Sequence, residues 1–195
     1  MKEFDLFLDT ESMQKVLQRQ YAEKNLMIED CQILQTRLKT HLKEQSRGKS
    51  ILSVCYQLKA TDELRQQSGT QILFLKAYLE NRSHSEFQKI DLKQLITPKF
   101  GEPLLHLSNL EAIVWAFPND PNLPHLPEVS DPRKVKKYLP YDRLPAEVDA
   151  PEKLAEVEIE VIHYYPEQRC TNRYELQSAS SNHSPAFTLF GETFK

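Results

Sequence analysis

Glycine is scarce: Gly48, Gly69, Gly101 and Gly191 are the only four in 195 residues. That excludes collagen-like and glycine-rich linker architectures, and any phosphate cradle that needs several glycines in one loop. Cysteine is scarcer still. Cys31, Cys55 and Cys170 are odd in number and far apart, the pattern of a reducing compartment and not of a disulfide framework. Long apolar runs are missing. The best candidate, Ile72 to Leu79, is broken by Lys76, so no segment reads as membrane-spanning. The opening residues, Met1-Lys2-Glu3-Phe4-Asp5, carry no apolar run of signal-peptide length. An excess of one charge is missing too. The 25 Lys plus Arg stand against 28 Asp plus Glu, a net charge of -3, which disfavours a strongly basic nucleic-acid binder. These absences predict a cytoplasmic protein with neither membrane nor nucleic acid as partner.

Hydrophobic residues make up 39% and charged residues 27%, enough apolar material for a real core. Proline divides what is there. None of the twelve falls before Pro98, and eight lie between Pro118 and Pro151. That stretch holds neither a central strand nor a long helix. It reads as a connector over 118–151, with one short helix over Asp131–Leu139, where Asp131 is the N-cap and Pro132 sits in the first turn. Before it lies a unit over 1–117, and after it a tail over 152–195.

The first unit opens with a helix. Thr10 is a candidate cap, Met13, Val16, Leu17 and Tyr21 form its apolar face, and Asn25 can end it. Residues 28–44 are ambiguous. Ile28, Cys31, Leu34, Leu38 and Leu42 recur at three- and four-residue steps, so periodicity favours a helix over a strand. Ile51–Leu58 and Gln71–Leu79 read as an antiparallel pair joined by a polar loop. Ser83, with Glu86 three residues on, predicts a helix running to about Ile96. Leu104–Leu107 and Ile113–Phe117 read as short strands. In the tail, Val157–Val161 alternates strictly, and Arg169–Leu176 and Ala186–Phe194 complete a three-stranded meander. A meander of this size is not stable alone, so it must pack on something, which we expect to be the first unit. The two units echo one another: Tyr56-Gln57-Leu58 and Tyr174-Glu175-Leu176 each end a strand. If the echo holds, Ile33 to His41 is a strand after all. The expected fold class is α+β, two small antiparallel β-sheet units with flanking helices.

Familiar chemical motifs are incomplete. Arg47-Gly48-Lys49-Ser50 ends like a phosphate-binding loop, but Lys43 stands where that loop needs glycine. No Gly-x-Gly-x-x-Gly, Cys-x-x-Cys or Gly-x-Ser-x-Gly occurs, and the six histidines fall at no metal-ligand spacing. No metal site is expected. Glu158 and Glu160 read as the solvated face of a strand, and Trp115, the sole tryptophan, as core.

Three segments carry a resemblance. They are Phe117-Pro118-Asn119-Asp120-Pro121-Asn122-Leu123-Pro124, then Asp131-Pro132-Arg133-Lys134-Val135, then Tyr164-Tyr165-Pro166-Glu167-Gln168-Arg169-Cys170-Thr171-Asn172-Arg173-Tyr174. In this order they resemble bacterial phosphotransferases of the aminoglycoside/choline-kinase type, over roughly residues 70–195. The resemblance implies the N-terminal, protein-kinase-like lobe of an ATP- and Mg-dependent phosphotransferase. Two departures matter. No segment matches the family's His-x-Asp-x-x-x-x-Asn loop, so the catalytic lobe is not matched. Glu192 stands where the family's Gly-Lys-Thr-Tyr carries lysine, and a carboxylate repels phosphate.

The function expected is therefore a non-catalytic kinase-like region or a truncated relative, with at most weak nucleotide binding. Lys76, on Leu75-Lys76-Ala77-Tyr78, would be the nucleotide contact, paired with Glu86 on the following helix. Lys76 also reads as a sheet-edge or snorkelling lysine. Arg169 and Arg173 are possible anion contacts, and equally a solvated strand rim. The alternative is a protein-interaction module, with a protein partner or a second copy docking at a sheet edge or along the N-terminal helix.

Overall fold

The fold was read from a computed structural model, which describes residues 4–39, 50–179 and 187–195. Its architecture is α+β with two antiparallel sheets, of five and three strands. The chain divides into two compact units, Met1–Asn119 and Asp120–Lys195. The sequence around Gly48-Lys49, and the end of the run at Leu42, lie outside the described residues.

The first unit opens with helices α1 (Asp5–Leu8) and α2 (Thr10–Tyr21). The cap of α2 is Asp9, one residue before Thr10: its carboxylate accepts from Glu11 N at 3.2 Å and Ser12 Oγ at 2.6 Å. Met13, Leu17 and Tyr21 form the buried stripe at four-residue spacing. Asn25, left-handed at φ 55°, ends the helical stretch. Strands β1 (Leu26–Lys39), β2 (Ile51–Asp62) and β3 (Gln67–Tyr78) then form a meander. A tight turn joins β2 to β3, where the Asp62 carboxylate accepts from Leu64 N and Arg65 N, each at 3.0 Å. The strands thus run longer, and the loop shorter, than alternation alone suggested.

Residues 26–39 are strand, against the helical reading of the spacing. The reason is visible in the register. Two irregularities, between Ile28 and Asp30 and between Ile33 and Gln35, each insert a residue. The residues opposite the inward set of β2 are therefore Ile28, Cys31, Ile33, Thr36 and Leu38. Bulges turn steps of two into steps of three, which imitate a helix.

After β3, the predicted helix from Ser83 stops early. Helix α3 covers Ser83–Phe87, and one further 3₁₀ turn covers Leu92–Gln94. Strands β4 (Leu104–Leu107) and β5 (Ala112–Ala116) complete the sheet in the order β1-β2-β3-β5-β4. One sheet face is covered by α1 and α2. Phe7, Met13, Leu17 and Tyr21 pack there with Tyr56, Leu58, Leu73, Leu75 and Val114. Tyr56 Oη donates to Phe7 O at 2.5 Å, tying α1 to the middle of the sheet. On the opposite face Phe74 and Trp115 stack at 5.6 Å, both buried.

In the second unit the proline-rich stretch contributes to a core of its own. It contains helix α4 (Leu126–Val129) and 3₁₀ turns at Val135–Tyr138 and Tyr141–Arg143. Asp131 caps a turn, its carboxylate accepting from Arg133 N at 2.9 Å, but the backbone beyond winds as 3₁₀ and not as the α-helix its cap predicted. Val135, Leu139 and Val148 pack against Val157, Tyr174 and Leu176 of the meander β6 (Leu154–Tyr165), β7 (Arg169–Ser178) and β8 (Phe187–Phe194).

Strand β1 is an edge, and α2 closes its first part. Gln18 Nε2 donates to Leu26 O at 3.0 Å, Ile28 N donates to Gln18 Oε1 at 2.7 Å, and Gln14 Nε2 donates to Ile28 O at 3.0 Å. The glutamine amide acts as a one-residue strand partner. Replacing Gln18 with leucine leaves one donor and one acceptor unpaired in a half-buried place. We expect a loss of about 1–3 kcal/mol in urea denaturation, with faster amide exchange at Ile28.

Candidate functional site

Two of the segments behind the resemblance meet at one carboxylate, that of Asp120. Asp120, 8% exposed, accepts from Tyr164 Oη at 2.7 Å and Glu167 N at 2.8 Å through Oδ2, and from Asn122 N at 2.8 Å through Oδ1. Asn122 Nδ2 donates to Glu167 Oε1 at 3.0 Å. Glu167 sits in the β6–β7 turn in the left-handed region, φ 63°, an unfavourable place for a non-glycine residue. The bonds to Asp120 and Asn122 hold it there. The neighbouring Asn119 serves the first unit: its amide pairs with Ile96 N and O, both at 2.9 Å.

Cys170 follows that turn, fully buried. Burial and the charge of Asp120 push its thiol up to about 12, so it stays a neutral packing group. Burial also raises the Cys31 thiol to about 11. Neither has the lowered pKa of a reactive cysteine.

The solvent face of the meander gathers Arg169, Arg173 and Glu192. Arg169 stands opposite Phe194 and Tyr165, with its guanidinium 4.9 Å from the Tyr165 ring centroid. Thr171 stands opposite Glu192 and donates to its Oε1 at 3.0 Å. Arg173 Nη2 lies 2.6 Å from Glu160 and 3.2 Å from Glu175, in a groove of about 270 Å³. An anion at Arg173 has to compete with two carboxylates. Arg169 lies instead over an aromatic ring, that of Tyr165.

Lys76 and Glu86 belong to the first unit. Lys76 is half-buried on β3, flanked by Ser53 and Ile113, with its ammonium 6.0 Å from the Tyr78 ring. Glu86, on α3, is held by Lys89 at 2.8 Å. Beside them lies a feature that the sequence did not single out. Ser83 Oγ and His106 Nε2 are 3.0 Å apart, Phe87 stacks on His106 at 4.6 Å, and Glu111 accepts from Ser83 N at 3.1 Å. A serine beside a histidine suggests a nucleophile and its base. Ser83 is fully buried, however, and no substrate reaches it. The pair is a packing joint between α3 and β4. Among the described residues no group of three or more His, Cys, Asp or Glu is placed to hold a metal ion.

Burial, and then the neighbouring His84, lower the pKa of His106 below its ordinary 6.5, with Glu111 opposing. The folded state therefore prefers neutral His106. Its contribution to stability is complete above the unfolded pKa and is lost as pH falls through the lower folded value. Imidazole proton shifts should titrate with a midpoint under 6.5, and His106→Gln should flatten the fall of urea stability in that acid window. For the turn, Asp120→Ala should cost about 2–4 kcal/mol, since three donors lose one acceptor group. Amide exchange at Glu167 should rise with it.

No family model, no curated protein and no solved structure matches the chain.

Proposed function

We propose that this chain is a non-catalytic kinase-like N-terminal region, or a truncated relative, of a phosphotransferase of the aminoglycoside/choline-kinase type, with at most weak nucleotide binding. One observation carries the reading. Two of the motif segments on which the resemblance rests, 44 to 47 residues apart in sequence, are joined by the Asp120 carboxylate at the β6–β7 turn of a three-stranded antiparallel meander. Such a meander, with its final strand bearing the Gly191-Glu192-Thr193-Phe194 segment, is the arrangement expected of a kinase-like upper lobe.

The chemistry follows from what phosphoryl transfer needs. It is mostly positioning and neutralisation of charge by metal ions and fixed cations, with a base or orienting group for the acceptor. No His-x-Asp-x-x-x-x-Asn segment occurs in the sequence, and Glu192 occupies the lysine position of the resemblance. What remains is binding. Arg169 is the better-placed anion contact of its face, and Lys76 is the candidate in the first unit. They belong to different units and are tested separately.

Calorimetric titration with ATP and Mg²⁺ should give weak binding, in the high-micromolar range or above, reduced severalfold by Lys76→Ala or by Arg169→Ala. Absence of heat in the wild type would remove nucleotide binding. Turnover of ATP by the purified chain, insensitive to further purification, would remove the non-catalytic part of the proposal.

A further inference from the structure

Strand β8 is an edge of its sheet, in the order β6-β7-β8. Its two faces differ sharply. Phe187, Leu189, Gly191 and Thr193 are half-buried, whereas Thr188, Phe190, Glu192 and Phe194 are exposed. Phe190 is 66% and Phe194 60% exposed, and they flank Glu192 on the same strand face.

The phase of the backbone follows from one bond. Lys195 N donates to Gln168 O at 3.1 Å, so residue 195 faces β7. In an antiparallel ladder the residues that bond to a given neighbour alternate. Thr193, Gly191 and Leu189 therefore bond towards β7. Thr188, Phe190, Glu192 and Phe194 turn their N–H and C=O groups to the open side. The residues with exposed side chains are thus the same ones that offer backbone bonds to an added strand.

A second copy of this strand is a poor occupant. The antiparallel register that sets Phe190 opposite Phe194 of the other copy, burying both pairs, also sets Glu192 opposite Glu192. Like charges directly opposed are destabilising. The row between the phenylalanines calls for a cation, and the rows on either side call for apolar groups.

We propose that β8 accepts an extended segment of another protein as an added strand, with Lys or Arg opposite Glu192 and apolar side chains two residues to each side, against Phe190 and Phe194. Main-chain bonds supply attachment and the three alternate side chains supply selectivity, as in strand addition generally. Thr171 holds one oxygen of Glu192, which fixes the carboxylate for the incoming cation. The inference goes beyond nucleotide binding and does not depend on it.

The test uses the full chain and a fluorescein-labelled peptide that alternates threonine with valine, lysine and valine, followed by anisotropy. Two control peptides replace the lysine by glutamate, or methylate the backbone nitrogens that would face β8. The lysine peptide should bind at least tenfold more tightly than either control. Glu192→Lys should reverse the preference between lysine and glutamate peptides. Phe190→Asp should weaken binding at least tenfold while circular dichroism stays unchanged. Equal binding of all three peptides, no binding of any, or an unchanged preference in Glu192→Lys would overturn the proposal. So would a dimer in sedimentation that Phe190→Asp dissolves, since the edge would then belong to a second copy.

Discussion

Each sheet of this protein has a face that must leave water, and neither sheet can do so by itself. A small antiparallel sheet gains stability only when an apolar layer covers one side. The two units meet this demand with different material. In the first, α1 and α2 lay Phe7, Met13, Leu17 and Tyr21 on the sheet. In the second, a stretch too rich in proline for a central strand or a long helix supplies Val135, Leu139 and Val148. Burial of apolar side chains is worth roughly 1.5–3 kcal/mol each, so either layer outweighs any single polar contact in its unit. The rest of the architecture is arranged around keeping these layers in place.

Polar groups then fix geometry that burial leaves open. Gln18 pairs with the β1 edge and sets how α2 meets the sheet. Asp120 collects Asn122, Tyr164 and Glu167 and sets the shape of the β6–β7 turn. Ser83 and His106 bind α3 to β4. All three are side chains standing in for backbone partners, or bridging elements that lack a ladder of their own. A buried serine beside a histidine, and a buried aspartate beside a tyrosine, here join elements of the fold.

The outer face of the second sheet is different. Arg169, Arg173, Phe190, Glu192 and Phe194 all stand on it, and only part of their capacity is used within the unit. Arg173 is occupied by Glu160 and Glu175, and Arg169 lies over Tyr165. Among the described residues no apolar layer covers the two exposed phenylalanines. Exposed aromatics on an edge strand are a liability that proteins normally blunt with charge, and Glu192 between them is such a charge. It discourages self-pairing and at the same time selects the sign of what can pair.

Much of this was legible in the sequence because it is local. The stripe on α2, the alternation of β6, the left-handed stop at Asn25 and the short strands before and after the prolines depend on residues a few positions apart, where spacing and φ preference decide. Long-range facts were not legible. The bulges in β1 shift its inward residues from steps of two to steps of three, and only the register against β2 distinguishes that from a helix. The helix predicted from Ser83 ends at Phe87, with Ser83 Oγ engaged by His106, a strand residue 23 positions away. Asp120 meets Glu167 across 47 residues, and no periodicity reports such a pairing. Composition and local spacing determined which segments could be strands, turns or helices. Pairing across the chain decided which residues are buried, which are joined, and which are left facing outward.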